Sequence, residues 1–490
     1  MTTLGSSSRS TAQLVAIWSA LPIAVLFILW AFLTGLNLSF WHDEAWTIIN
    51  YVEPGPAAIF AGEYVPNNHM LFSLLAWLTT NFGEVTEIAA RFWSVVPSLA
   101  IVAISFQWIR NRLGLATASA FLVLVAANPL VVLVARQARG YGLAMLMTGL
   151  MVGAAWHALS EDSLPRSLIW VGVPAALAIF TLPIAVLPFL ALMPLLYARH
   201  RRSAIWMMFG VAVSSLAWYL GNLSELLTSI GQRFGEQLPW YGFLTGPFET
   251  LLFPTARLVL PGYIDPFRPP ADTLSPWMLT SVLVFGAFTI LGVRRLTKRA
   301  TRLQATAVWL PIFATFLVLT VTRVWVMDRF VTLLAIPLIG LVAAGIAEAG
   351  RIAVDRFDLQ SAGWLIGAFV GLLLLSLTVP TYQRLTSVPV EAFKAAAAVA
   401  AQGGGPVLTN SLRITALEYY LAREPEVLDQ DSLAAVACAS LDKEFVLIDQ
   451  PLLQTKPLDT ACLTEAGYDP VRLPQLIRGD RLDVWIIGGK

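Results

Sequence analysis

Eleven stretches of this chain are apolar for about the length of a bilayer crossing, and that pattern constrains the fold more than any single motif. They fall at 13–36, 85–109, 115–135, 141–159, 167–181, 183–198, 204–221, 275–293, 304–322, 330–348 and 364–380. A spanning helix needs about 20 apolar residues because every backbone polar group must be satisfied within the segment. The runs at 167–181 and 183–198 are short and are divided by Leu182-Pro183. Composition agrees: 57% of the 490 residues are hydrophobic and 13% are charged, about half the charged fraction of a soluble domain. The expected protein is a polytopic α-helical membrane protein with about 11 transmembrane helices. A net charge of +1 gives no electrostatic basis for binding nucleic acid. The first run is too long for a signal-peptide core and lacks a small-residue cleavage site, so it is read as a retained helix.

Sidedness follows from the basic residues in short loops, which favour the cytoplasm. The loops 109–114 (IRNRLG), 197–203 (YARHRRS) and 293–302 (VRRLTKRATR) carry them. With eleven spans and a cytoplasmic N-terminus, all three fall on the cytoplasmic side. The long segments 37–84 and 222–274, the short loops near 136–140 and 323–329, and everything after about residue 381 then lie outside. The last hundred residues change character, alternating strand-like runs (PVLTNS, EFVLIDQ, DVWIIGG) with helix-like ones (RITALEYYLA, DSLAAVACASLD). That is the pattern of a small soluble α/β unit. The expected division is a transmembrane domain over 1–380 and an extracytoplasmic domain over 381–490. Both cysteines, Cys438 and Cys462, lie in the latter. Two readings stay open for them: a disulfide, allowed on the oxidising side, or two small buried hydrophobes.

The residues able to do chemistry gather on the outer side. Asp43 and Glu44 follow the first span in SFWHDEAWTIINY, where Asp43 can cap a helix and Glu44 can sit in its first turn. A capping carboxylate at a membrane surface is also a fixed, partly desolvated base. Glu63, Asn68 and His69 stand in the next polar stretch, and Arg136, Arg139 and Tyr141 in VARQARGYGLAM. Snorkelling to lipid phosphates would account for outer arginines, as mutual neutralisation would for Asp328 and Arg329. Arg323 and Arg329 precede a late apolar run, and ionisable groups at such depths are functional candidates by default. The loop 222–274 adds Arg257, Tyr263 and Arg268, which either line a substrate cavity or belong to a lid that only packs on the helices. One carboxylate base with guanidinium groups aimed at a departing phosphate suits transfer of a sugar from a lipid phosphate, whereas glycoside hydrolysis needs a second, protonated carboxyl group.

Taken in order, FWHDEAW, PNNHMLFSLLAWL, TEIAARFWSVVPSLAIVAI, ARQARGYGLAM and MDRFVTLLAIP resemble the GT-C glycosyltransferases of the protein mannosyltransferase and lipid A aminoarabinose transferase type. The resemblance is good over residues 40–145, fair over 322–337 and topological elsewhere. It implies an inverting transferase that takes a sugar from a polyprenyl monophosphate and passes it to a glycan, lipid or protein acceptor outside the membrane. It implies Asp43 as catalytic base, Glu44 orienting the acceptor or a metal, and Arg139, Tyr141, His69 and Arg329 at the donor phosphate. A divalent cation, which some relatives bind, would draw on Asp43, Glu44, Glu63 and His69. The chain departs from the family where Asn68-His69-Met70-Leu71-Phe72 lacks two prolines and where Phe330 replaces a tyrosine. By analogy, the α/β domain implies a bacterial plasma membrane. A lipid-phosphate transporter or flippase and a lipid-diphosphate oligosaccharyl ligase are the competing readings. The absence of a sequence repeat and the gathering of charge at the outer helix ends argue against the transporter.

Overall fold

The computed structural model describes residues 11–61, 68–80, 85–160, 165–224, 228, 247–248, 276–322, 328–357, 362–389, 392–409, 414–421, 425–428, 430–439, 441–449, 460–474 and 481–487. These residues form two units. The first comprises Met1–Thr34, Glu63–Phe72 and Trp93–Tyr382. The second gathers Gly35–Gly62, Ser73–Phe92 and Gln383–Lys490.

The helices, in order, are α1 (Thr11–Leu33), α2 (His42–Thr47), α3 (Pro56–Ala61), α4 (Met70–Thr80), α5 (Glu87–Leu113), α6 (Leu115–Ala126), α7 (Pro129–Ala135), α8 (Tyr141–Ala158), α9 (Ile169–Thr181), α10 (Val186–Tyr219), α11 (Pro276–Thr297), α12 (Arg302–Thr322), α13 (Asp328–Val331), α14 (Ala335–Phe357) and α15 (Ala362–Ser387). Five described stretches are long and apolar enough to cross a membrane: Glu87–Leu113, Pro183–Tyr219, Arg302–Thr322, Arg329–Phe357 and Ile366–Ser387. The pair α6 and α7, bent by 69°, makes a sixth if it is one crossing. This is an integral membrane protein. The expected eleven separate spans are not all present as long straight helices, and the breaks have local causes. Between α6 and α7, Asn128 caps the new helix by accepting from Val131 N at 3.1 Å, with Pro129 at the first helical position. Ahead of Pro183, Leu182 is extended (φ −149°, ψ 108°), as residues before proline are, and α9 stops there.

The expected runs 183–198 and 204–221 are one element, α10, broken by the non-helical His200 (φ −135°, ψ 55°). A straight rod over Pro183–Tyr219 would be about 55 Å long. Yet the Tyr219 hydroxyl donates to Ile179 O at 2.8 Å, beside the point where α10 begins. His200 Nε2 meanwhile donates to Ala158 O at 2.9 Å, at the far end of the neighbouring helix. The chain therefore doubles back at His200.

Hydrogen bonds also collect the basic loops at one end of the first unit. Arg295 Nη2 donates to Leu113 O at 2.8 Å, Gln304 Nε2 to Trp156 O at 3.1 Å, and Arg199 Nη2 to Ser160 O at 3.4 Å. Buried Glu348 anchors this end by pairing with Arg295, Lys298 and Arg351 at 3.4, 2.8 and 3.0 Å. The other ends of α7, α8 and α9 are left for the residues described below.

The second unit carries α16 (Phe393–Ala400), α17 (Ile414–Tyr420), α18 (Gln430–Ala439), α19 (Ala461–Glu465) and a five-stranded sheet. Its strands are β1 (Val407–Thr409), β2 (Glu426–Val427), β3 (Phe445–Asp449), β4 (Val471–Pro474) and β5 (Arg481–Ile487), in the order β2-β1-β3-β5-β4. β1 runs parallel to β2 and β3, and β5 runs antiparallel to β3 and β4. Leu408, Leu433, Phe445, Leu447, Leu463 and Trp485 form its core. Cys438 and Cys462 are joined in a disulfide with Cα atoms 5.7 Å apart, stapling α18 to α19. Closing a loop of 24 residues contributes about 3 kcal/mol in the chain-entropy account.

Candidate functional site

In the first unit the turn between α7 and α8 buries Arg136, Gln137 and Arg139. Short-range contacts fix its shape. Arg139 N donates to Gln137 O at 2.7 Å, and the Ser94 hydroxyl donates to Arg139 O. A Cβ on Gly142 would stand 2.1 Å from Ser94 O, and one on Gly140 would stand 2.6 Å from Thr181 Cγ2 and 2.8 Å from His69 Nδ1. The two glycines of Arg-Gly-Tyr-Gly thus let α8 start against α5 and let the imidazole lie against the turn. Arg136 reaches away from this turn to the carbonyl of Thr34 at the end of α1.

Arg139, fully buried, places Nη2 at 2.8 Å from His69 Nε2. A guanidinium can only donate, so the imidazole nitrogen accepts, and His69 is neutral with its proton on Nδ1. Burial, with the charges of Arg139 and Arg329 adding, holds its pKa well below the ordinary histidine value. Tyr141 stands edge-on to the imidazole with ring centroids 4.9 Å apart, and Arg139 Cζ lies 5.8 Å from the Tyr141 centroid. Phe330 lies 6.3 Å from the same ring, and the Arg329 guanidinium covers Phe330 at 5.6 Å. The Tyr141 hydroxyl and His69 Nδ1 are buried and find no hydrogen-bond partner among the described residues. Two guanidiniums, a neutral imidazole and a phenol thus come together in one unit. The set offers donors and positive charge and is suited to an anion.

In the second unit, α2 carries the acidic pair. Its N-cap is Trp41 and not Asp43 as expected, and Glu44, three residues on, reaches back to accept Trp41 N–H at 3.1 Å. Asp43 falls in the first turn, where the helix macrodipole favours a carboxylate, and is half-buried, while Glu44 is 1% exposed. Both Glu44 oxygens meet Arg91, at 3.0 Å from Nε and 2.8 Å from Nη2. Arg91 spends its other donors on the carbonyls of Leu36 and Leu38, each at 2.7 Å, and Ser39, at 3.1 Å. All five N–H groups of a buried guanidinium are answered, which the three donors of lysine could not do. Glu44 is therefore tied up in structure, and Asp43 is the less buried acid of the pair.

No motif in the sequence marks Arg91, although a charge in an apolar run is itself a signal. Ser94 and Thr181 also join the site without any motif to mark them. Asn68 is buried in the first unit. Glu63, Arg257, Tyr263, Arg268 and Arg323 lie outside the described residues. No group of three or more His, Cys, Asp or Glu able to hold a metal ion occurs among the described residues. Glu44 is engaged by Arg91 and the His69 Nε2 lone pair by Arg139, so these two residues do not fit a cation, and no step is derived through one.

The fold is similar to those of the solved membrane proteins ArnT and AglB. Among solved structures, the chain is similar to ArnT from Cupriavidus metallidurans in the apo state, with a TM-score of 0.52 and 13% identity over 99% of this chain and 100% of that one. The same enzyme bound to undecaprenyl phosphate gives 0.51 and 13% over 98% and 100%. Oligosaccharyltransferase AglB from Archaeoglobus fulgidus, in complex with an inhibitory peptide and a dolichol-phosphate, gives 0.50 and 11% over 90% of this chain and 70% of that one. No protein-family model and no curated protein matches the chain.

Proposed function

We propose that the protein is an inverting glycosyltransferase that moves a sugar from a polyprenyl monophosphate to an acceptor hydroxyl or amine outside the cytoplasm. The observation that carries the reading is the buried constellation of Arg139, Tyr141, Arg329 and neutral His69. In this reading the acceptor atom attacks the anomeric carbon and gives its proton to the Asp43 carboxylate. The bond from that carbon to the phosphate oxygen breaks, and its electron pair leaves with the phosphate. Arg139 and Arg329 offset the added charge, and the Tyr141 hydroxyl and His69 Nδ1–H donate to phosphate oxygens. A phosphate is a good leaving group, so one base suffices, and charge preorganised where it develops is usually the largest catalytic term. Arg136, Asn68, Arg257, Tyr263, Arg268, Arg323 and Glu63 remain assigned to the substrate cavity.

The fold shared with a protein crystallised with undecaprenyl phosphate supports a lipid monophosphate donor. The likeness to the oligosaccharyltransferase AglB keeps a second reading, an oligosaccharyl ligase, and a diphosphate donor would set that ligase apart. One experiment separates them: membranes containing the protein, supplied with radiolabelled polyprenyl monophosphate or diphosphate sugars. Transfer from the monophosphate alone is expected, and transfer from the diphosphate alone would overturn the proposal in favour of the ligase. Transport without transfer would overturn both.

A further inference from the structure

Within the second unit, the two residues just ahead of the α2 turn are gripped by helices more than three hundred residues later. Phe40 N–H donates to the Tyr420 hydroxyl at 2.7 Å, and that hydroxyl donates to Glu87 Oε1 at 3.0 Å. Lys394 Nζ pairs with the same Glu87 oxygen at 2.7 Å, while Lys394 N donates to the Ser39 hydroxyl at 3.1 Å. The Phe40 ring stacks on Tyr420 at 6.4 Å and meets Tyr419 edge-on at 5.4 Å. Ser39 and Phe40 are therefore held on one side by Arg91 and on the other by α16 and α17. Glu87 sets the polarity of this chain. As an acceptor paired with an ammonium, it accepts the Tyr420 O–H hydrogen bond and leaves a phenol lone pair for the amide. Burial raises the Tyr420 pKa, so the phenol keeps the proton this role needs.

We propose that Tyr420, with Glu87 and Lys394, is a positioning element that fixes the Ser39–Phe40 backbone and through it the orientation of Asp43. This role rests on Asp43 as the base. Tyr420 and Lys394, both in the C-terminal region, then act on transfer through the Ser39–Phe40 backbone.

The test uses the full-length protein in lipid nanodiscs. Tyr420→Phe keeps the ring and removes only the shared hydroxyl. Amide exchange over residues 38–47 is expected to quicken by about tenfold, as a lost buried bond of ordinary strength implies, and kcat is expected to fall about tenfold with the donor KM unchanged. Thr464→Ala, exposed in α19, is expected to leave both at wild-type values. If Tyr420→Phe does not fold, a pair of variants decides: Glu87→Gln, whose amide oxygen still accepts from Tyr420, stays near wild type, and Glu87→Leu shows faster exchange and lower kcat. Wild-type exchange over 38–47 in Tyr420→Phe or Glu87→Leu would overturn the clamp whatever transfer does. Faster exchange with unchanged kcat would overturn the positioning role. Transfer persisting in Asp43→Asn would remove the base and leave the exchange result to decide the clamp alone.

Discussion

The two units handle buried charge in opposite ways. In the second, a guanidinium meets a carboxylate head-on and all five of its donors are answered, as Arg91 and Glu44 show. In the first, Arg139 meets an imidazole that its own charge helps to keep neutral. The arrangement around Arg91 is satisfied internally and fixes a backbone. The arrangement around Arg139 gathers positive charge and donors, including the Tyr141 hydroxyl, and is suited to an anion. The difference teaches which arginines to assign to architecture and which to chemistry, a distinction that burial alone does not make because both kinds are buried.

The largest expected effect breaks the comparison at its acid. Asp43→Asn should lower the transfer rate by about 10²- to 10⁴-fold, the usual contribution of a general base, with donor binding retained. Radiolabel transfer and donor titration read the two separately, and a normal rate would remove Asp43 as base. Arg139→Ala should cost about 10²- to 10³-fold in kcat/KM for the donor and affect acceptor use less. Equal losses toward donor and acceptor would count against its phosphate role. Arg91→Ala should instead act on stability, by about 3–5 kcal/mol, because it strands a buried carboxylate. Restoring thermal stability by adding Glu44→Leu, while transfer stays low, would sharpen the split between architecture and chemistry. Reducing the Cys438–Cys462 disulfide should destabilise the C-terminal sheet region by about 3 kcal/mol and leave the cationic cluster's donor binding intact.

The smallest effect is a pH dependence. His69 in the folded protein takes up a proton less readily than when unfolded, so the unfolded state binds more protons below the ordinary histidine value of 6.5. Its contribution to stability is full above that pH and is lost as pH falls. Wild type should therefore lose melting temperature below about pH 6.5 more steeply than His69→Gln, which keeps an acceptor for Arg139 and does not titrate. Parallel curves would mean that the imidazole is not held neutral by folding.

Much of the fold was legible because apolar length and loop charge are properties of the linear chain. The basic loops gathered at one end, the C-terminal sheet and the break at Leu182-Pro183 all follow from composition and local backbone preference. The doubling back at His200 agrees with the loop read at 197–203 between two apolar runs, although nothing in YARHRRS marks a single non-helical residue as the place where it turns. At the site, Arg-Gly-Tyr-Gly and Asp-Glu drew attention because several groups able to do chemistry stand together. The capping role of Glu44 was hidden because its cap residue is a tryptophan and not a serine or threonine. Arg91 went unassigned because its partners are mostly carbonyl oxygens, which every sequence has everywhere. Tyr420 lies 380 positions from the amide it holds, and no local pattern reports that.

That separation has a consequence for how the protein comes to life on the ribosome. At about 5–20 residues per second, the Ser39–Phe40 segment waits roughly 20–75 seconds after its own synthesis before Tyr420 emerges. Until then its amide has no phenol to meet and Glu87 has no lysine. A nascent chain can insert its helices one after another, yet the acid-bearing turn gains its phenol partner only after Tyr420 has been made. A chain terminated anywhere upstream of α17 would thus carry its helices without the contact that sets the Ser39–Phe40 backbone.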